Sequence, residues 1–363
     1  MKSKRVLVAM SGGVDSSVAA LLMKRKGYEV IGAFMKNWSD TKDEFGECNW
    51  KKEREYAIKI ASKLNIPLIT FDFEKEYKDQ VVKKMLKDYK KGVTPNPDVD
   101  CNQKIKFPML IKEAKKLGAE FIVTGHFSKI KKSKNNFKLL RAKDESKDQS
   151  YFLYRINQKE LKHTLFPIGE YTKAQVRQIA KENKFPNFDK KSTVGICFIG
   201  KVDFKEFLKK RIKEKNGKIL NPEGKIIGGH KGIHYYTIGE KLGTKYGTKI
   251  SKQIDNESNL RKWYVAKKDA KKNNIVAAPE GHKILLRKQM KILKPHWIDK
   301  KPKNNSKVLV RIRQVGELLP GKVYSQKGKI KVTLNKSITG VSEGQAIVLY
   351  KGKEVLGGGE IRF

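Results

Sequence analysis

The chain has 363 residues, enough for two or three domains, and sets 81 Lys and Arg against 38 Asp and Glu for a formal net charge of +43. The excess runs along the whole length, which favours a polyanionic partner over an acidic or neutral one; a general lysine bias in coding is the competing account, since lysine far outnumbers arginine. Three widely spaced cysteines, Cys48, Cys101 and Cys197, exclude a disulfide framework and a CxxC zinc site and suit a reducing compartment; with no long apolar run and no signal-like start, a cytoplasmic protein that touches no membrane is expected.

From residue 5 to about 126, short apolar runs alternate with helical patterns. RVLVAM, EVIGAFM, PLITFDF and AEFIVTGH have the continuous apolar character of parallel strands buried on both faces. Between them, apolar residues at helical spacing (Val18, Leu21, Leu22; Ala57, Ile60, Ala61, Leu64; Phe107, Leu110, Ile111, Ala114, Leu117) predict amphipathic helices. This alternation predicts an α/β fold, a doubly wound parallel sheet. KIKKSKNNFKLLRAK predicts a hairpin turning at Asn135 and Asn136, and YTKAQVRQIAKENK, residues 171–184, another helix. Beyond Gly217, the short alternating runs KWYVAKK, KILLRKQ, KVLVRIRQ, GKIKVTL and QAIVLY predict an all-β half, with boundaries that divide the chain into 1–205, 206–277 and 278–363.

The first strand runs into MSGGVDSSVAALL, residues 10–22. A strand that ends in SGGxDS and continues as a helix gathers unpaired backbone N–H groups around one point, which attracts phosphate. Gly12 and Gly13 allow close approach, Ser11, Ser16 and Ser17 add hydroxyl donors, and Asp15 either orients Mg²⁺ or caps the helix. The turn lacks the GK[ST] of a P-loop and the spacing of GxGxxG. It resembles the loop of N-type ATP pyrophosphatases, which cleave ATP to AMP and pyrophosphate to adenylate a substrate oxygen.

Two stretches carry the other candidate chemistry. GVTPNPDVDCNQKIKF, residues 92–107, sets Asp98 and Cys101 in a proline-pinned loop just before a helix, whose start would favour a Cys101 thiolate; a small buried filler is the plainer role for a lone cysteine. KKSTVGICFIGKVDF, residues 190–204, surrounds Cys197 with apolar residues that suggest burial, yet Gly195 and Gly200 bracket it as they would a mobile catalytic loop.

Together with AFMKNW (33–38), TGHF (124–127), KDQSYFL (147–153), HKGIHYYTIGE (230–240), WYVAKKD (263–269), RIRQ (311–314) and LGGGEI (356–361), these stretches resemble the tRNA-specific 2-thiouridylases along essentially the whole chain. The resemblance implies an ATP pyrophosphatase catalytic domain, a central tRNA-binding domain and a C-terminal β-barrel. The implied activity is ATP-dependent replacement of oxygen by sulfur at the 2-position of the wobble uridine (position 34) of tRNA, through adenylation and a cysteine persulfide. It implies that Ala9, Met10, Ser11, Gly12, Gly13, Val14, Asp15 and Ser16, with Met35 and Gly125, hold ATP, accompanied by Mg²⁺. Asn96, Pro97 and Asp98 would line the target-base pocket, with Lys147, Asp148, Gln149, Arg311 and Ile312 as further tRNA contacts. Cys197 would carry the persulfide supplied by a sulfur-donor protein, Cys101 would be its partner in a transient disulfide, Asp98 would act on or orient the base, and the protein would be a monomer.

The chain departs from the family pattern at Ile312, where an aromatic is common, at Glu240 and Lys241 in place of Gln and Arg, and at Ala9 in place of glycine. The first weakens base stacking at that position. Three other readings stay open: an iron–sulfur thiolase using Asp98, Cys101 and Cys197, a small-molecule ligase of the same superfamily, and a non-catalytic RNA-binding module.

Overall fold

The computed structural model describes residues 4–40, 48–191, 204–243, 249–250, 262–314, 316–326 and 328–363. Its first layer is a five-stranded sheet of β1 (Arg5–Ala9), β2 (Glu29–Lys36), β3 (Leu68–Asp72), β4 (Phe121–Val123) and β7 (Thr164–Leu165), in the order β3-β2-β1-β4-β7 with every pair parallel. Val6, Leu7 and Val8 of the central β1 are 0% exposed, as a run of branched apolar residues between two helical layers requires. PLITFDF departs from the doubly buried expectation: β3 is only partly buried because it is the sheet's edge and has one neighbour instead of two.

Helix α1 (Val14–Arg25) and α2 (Asn49–Lys63) lie on the sheet with the expected apolar residues inward. Two further helices each carry a π turn. One runs from 74 to 90 through Lys78–Val82, and the other from 97 to 116 through Asn102–Lys106. The second corrects the sequence reading of the Cys101 loop. Pro97 already stands at the first helical position, where its fixed φ suits a helix start, and the Asn96 side chain accepts a hydrogen bond from Val99 N–H, so Cys101 sits one turn inside the helix. Thr172 and Gln175 form a capping box at the start of the helix Lys173–Glu182.

The hairpin of β5 (Ser128–Lys132) and β6 (Phe137–Arg141) turns at Asn135 and Asn136 as expected but leaves the parallel sheet and joins the C-terminal half. It pairs through Leu140 with Glu354, and Lys138 Nζ lies 2.7 Å from the Glu354 carboxylate. The all-β reading holds beyond Gly217. Strands Gly217–Leu220, Ile226–His230, Lys249–Ile250, Trp263–Asp269 and Asn274–Pro279 make one sheet. Arg287–Trp297, Ser306–Arg311, Leu319–Gln326, Lys329–Ile338, Ala346–Lys351 and Glu354–Arg362 make a six-stranded antiparallel barrel, closed by pairing of the first with the last at Ile292 and Ile361. KILLRKQ splits there into a 3₁₀ turn at Lys283–Leu285 and the start of the first barrel strand. Closure pairs the first barrel strand with the last, and Met290, Val310, Val332 and Ile347 fill the interior. Among the described residues no helix is long and apolar enough to cross a membrane.

The barrel is locked to the first domain through a buried carboxylate. Asp148 accepts hydrogen bonds from Ala142 N–H (3.0 Å), Ser150 N–H (3.3 Å) and Ser150 Oγ (2.9 Å), and Arg311 Nη1 of the barrel reaches it at 2.8 Å with Arg141 Nε at 3.5 Å. Gln314 Nε2 donates to the Asp148 carbonyl at 2.6 Å, and Tyr151 OH donates to Ala346 O at 3.1 Å. A desolvated charge of this kind is costly to leave alone. Asp148→Asn is therefore expected to destabilise the protein by about 3 kcal/mol in urea unfolding, and the Asp148→Asn/Arg311→Met double variant to recover part of that loss. Equal, additive losses would show that the pair is not what holds the junction.

Candidate active site at the carboxyl edge of the sheet

The strand order reverses between β1 and β4, so the crevice of this sheet opens at their carboxyl ends, where the glycine turn and the TGHF turn emerge. Gly12 has φ +73°, and a Cβ there would fall 2.1 Å from the Glu53 carbonyl oxygen; a Cβ on Gly125 would fall 2.6 Å from Ser16 N. Only glycine lets the exit of β4 rest on the start of α1. The turn is pinned internally: Ser11 N–H donates to Ser16 Oγ (3.2 Å), and the Ser16 and Ser17 hydroxyls donate to Gly13 O (3.0 Å each). Gly13 is the N-cap and brings no side chain, so the first N–H groups of α1 remain without a side-chain cap. Met10 N–H donates to Ala33 O at 2.8 Å, which sets Met35, two residues further along β2, at the same edge. Residues 9–16, Met35 and Gly125 are thus brought together.

Two lysines near this turn escaped the sequence reading. Lys173 Nζ lies 2.5 Å from Asp15 Oδ1, and Lys190 Nζ lies 2.7 Å from Glu53 Oε2 and 3.5 Å from Gly12 O. The capping box at Thr172 was the available signal for the first, because it makes Lys173 the first residue of a helix. Asn187 Nδ2 donates to Gly12 O (3.0 Å) and Ser17 Oγ (3.1 Å), holding the turn from the far side. His126 has its Nδ1 2.7 Å from Thr124 Oγ1 and stacks at 5.9 Å on Phe107. Burial, and then the Lys106 charge, hold its imidazole well below the usual histidine range, so it is neutral at pH 7.

The helix 97–116 leads into the amino end of β4, so its own start lies on the carboxyl side of the sheet, level with the glycine turn. Asp98 is partly exposed in its first turn, and Cys101, three residues on and on the same face, is 1% exposed. Asn96 Nδ2 is 3.5 Å from Tyr151 OH and Asn102 Nδ2 donates to Phe152 O at 3.2 Å, so this segment is held against 147–153. There Lys147 is exposed, and Gln149 Oε1 accepts from Phe127 N–H at 2.9 Å. Asp148 and Arg311 turn their side chains toward each other out of solvent, and Ile312 is packed in the barrel core. Cys197, and with it the Cys101–Cys197 pairing, lies outside the described residues; among those described there is no disulfide and no cluster of three His, Cys, Asp or Glu able to hold a metal.

The sheet, its glycine turn and the closed barrel define an α/β nucleotide-type domain coupled to two β domains, and family models match the same three parts. They are the tRNA methyl transferase HUP domain over 4–201, the tRNA methyl transferase PRC-barrel domain over 205–279 and the aminomethyltransferase beta-barrel domain over 287–361. The tRNA-specific 2-thiouridylase MnmA 2 of Aliarcobacter butzleri is 41% identical over 100% of this chain and 99% of its own length. The MnmA proteins of Lactobacillus helveticus and Nitrosomonas europaea are each 40% identical, over 98% and 99% of this chain and 95% and 99% of theirs. A solved 4-thiouridine synthetase–RNA complex with bound ATP aligns with a TM-score of 0.37 and 16% identity, over 58% of this chain and 50% of that one. The chain belongs to the tRNA-specific 2-thiouridylase (MnmA) family.

Lys173 is the nearest cation to the Asp15 carboxylate at the turn. A phosphate drawn to the helix start would meet it there, and its charge would be worth most as the pyrophosphate leaves. Lys173→Met is expected to lower ATP-to-AMP turnover about a hundredfold with an unchanged melting temperature, and Lys173→Arg to keep part of the rate. Undiminished turnover in Lys173→Met would make the ion pair a structural contact only.

Proposed function

We propose that this enzyme, a tRNA-uridine 2-sulfurtransferase, adenylates the 2-carbonyl of the wobble uridine with ATP and replaces its oxygen with sulfur from a Cys197 persulfide, releasing AMP and pyrophosphate. What carries the reading is that the glycine turn, Gly125 and the Asp98–Cys101 face all stand at one edge of one sheet. A uracil oxygen leaves poorly as it stands; once bonded to the α-phosphorus of ATP it leaves as AMP. The terminal sulfur of the persulfide adds to C2, AMP departs, and the Cys101 thiolate takes the inner sulfur, leaving a Cys101–Cys197 disulfide that an external thiol reduces; alternatively Cys101 releases hydrosulfide first and that attacks C2.

Buried at 1% exposure, Cys101 would meet sulfur away from bulk water. Asp98, one turn before it, orients the base or handles its proton, with Asn96 and Pro97 as the pocket wall. Asp15 would supply a hard carboxylate oxygen to Mg²⁺ at the turn, and the metal, when bound, would offset charge on the pyrophosphate. Because Asp148, Arg311 and Ile312 have buried side chains, they serve tRNA binding by fixing their neighbours, while Lys147 and Arg313 present exposed charge to phosphates. The RNA comes from the tRNAs for Lys, Glu and Gln, and the sulfur from a persulfide donor protein.

The test is incorporation of radioactive sulfur into unmodified tRNA with ATP, Mg²⁺ and a persulfide donor. Cys101→Ser and Cys197→Ser are each expected to abolish incorporation while tRNA binding persists. Full incorporation by Cys197→Ser would overturn the persulfide assignment.

A further inference from the structure

Lys106 closes the π turn of the helix 97–116 and is half-buried, its Nζ 3.5 Å from His126 Nε2. An ammonium only donates, so Nε2 is the accepting nitrogen, and the ring hydrogen sits on Nδ1, 2.7 Å from Thr124 Oγ1. The imidazole is fixed without the lysine. Thr124 holds its edge, Phe107 stacks on it at 5.9 Å with the planes 19° apart, and Phe166 meets it edge-on, also at 5.9 Å. The contact therefore orients the lysine rather than the ring, and a neutral acceptor does so without cancelling the charge.

The fold decides where that charge stands. His126 follows Gly125, the residue that rests on the start of α1. Lys173 and Lys190 reach the glycine turn from the face of the sheet where α1 and α2 pack on Val6, Val8 and Val123, whereas Cys101 and Phe107 pack with Leu7 and Ile122 on the other face. Lys106 thus approaches the crevice from the side opposite both lysines, on the helix that carries Asp98 and Cys101 and about 7 Å along it from the cysteine. A pyrophosphate end held at the N–H groups of α1 and a base held beside Cys101 would meet at this height, and the atom at which they meet is the α-phosphorus of ATP.

We propose that Lys106 is a further catalytic residue of the adenylation step: its ammonium, aimed by His126 as a positioning residue, contacts the α-phosphoryl oxygens and offsets the charge that develops there as the uracil 2-oxygen attacks. The proposal rests on the thiolation reading above. In that step a bond forms from the 2-oxygen to the α-phosphorus, the bond to the bridging oxygen breaks, pyrophosphate leaves with the electron pair, and the base gives its N3 proton to Asp98. Lys106 exchanges nothing and supplies charge alone.

The test measures the first turnover of pyrophosphate release from ATP and Mg²⁺ with unmodified tRNA and no sulfur donor. Lys106→Met and Lys106→Gln are each expected to lower the rate at saturating ATP and tRNA about a hundredfold, with KM for ATP, tRNA affinity and melting temperature nearly unchanged, and Lys106→Arg to keep part of the rate. His126→Gln should cost about tenfold in the wild-type background and nothing further in Lys106→Met, because it acts through the lysine. Wild-type rates in Lys106→Met or Lys106→Gln would overturn the catalytic role, as would a loss confined to the KM for ATP; full additivity in the double variant would overturn the positioning role of His126. Sulfur incorporation by wild type on the same tRNA, run alongside, separates failure of this proposal from failure of the thiolation reading.

Discussion

Everything at the carboxyl edge depends on a place where no side chain fits. At Gly125 the chain leaving β4 touches the backbone that opens α1, and at Gly12 the turn touches the backbone of α2; a methyl group at either point would drive the elements apart. Because those contacts are made by backbone, the N–H groups at the start of α1 are presented at a fixed position, with Ser11, Ser16, Ser17 and Asn187 bracing the turn. A phosphate drawn to N–H groups held this way would meet them without reorganisation.

A second constraint transmits that rigidity to the rest of the molecule. Asp148 cannot be left in the interior without cations, and one of the two that reach it, Arg311, belongs to the barrel. The barrel then returns the contact, through Gln345 on the carbonyls of Thr94 and Pro95, through Gln314 on the Asp148 carbonyl and through Ala346 on Tyr151. Residues 94–102 and 147–153 are therefore gripped from both sides, which is how a domain far along the chain sets the position of Asp98 and Cys101.

Much of this was legible in the residues. β1 and the helical spacings were visible because period and run length report burial directly, and SGGVDSS stood out because its glycines and hydroxyls sit where a strand turns into a helix. Other features were not. The helix start at Pro97 was concealed by a proline-rich stretch that reads as a loop, although proline at a first helical position is equally lawful. Lys173 was invisible as a partner of Asp15 because 158 positions separate them. The resemblance makes Asp148 and Arg311 tRNA contacts, and nothing in the sequence showed that their side chains meet each other inside.

The sequence by itself determined the strands of the parallel sheet from β1 to β4, the helices on its apolar spacings, the glycine turn, the all-β character of the second half and the family, since these rest on local spacing and on ordered motifs along one chain; the helix 74–90 had no such signal read from it. Tertiary structure alone decided that the hairpin at 128–141 pairs with a barrel strand, that Asp148 is shared between domains, and that Lys173 meets Asp15. The reason is the same in each case: pairing of distant polar groups and the closing of a barrel are set by the three-dimensional cost of leaving a strand edge or a charge unsatisfied, and that cost has no period in the sequence.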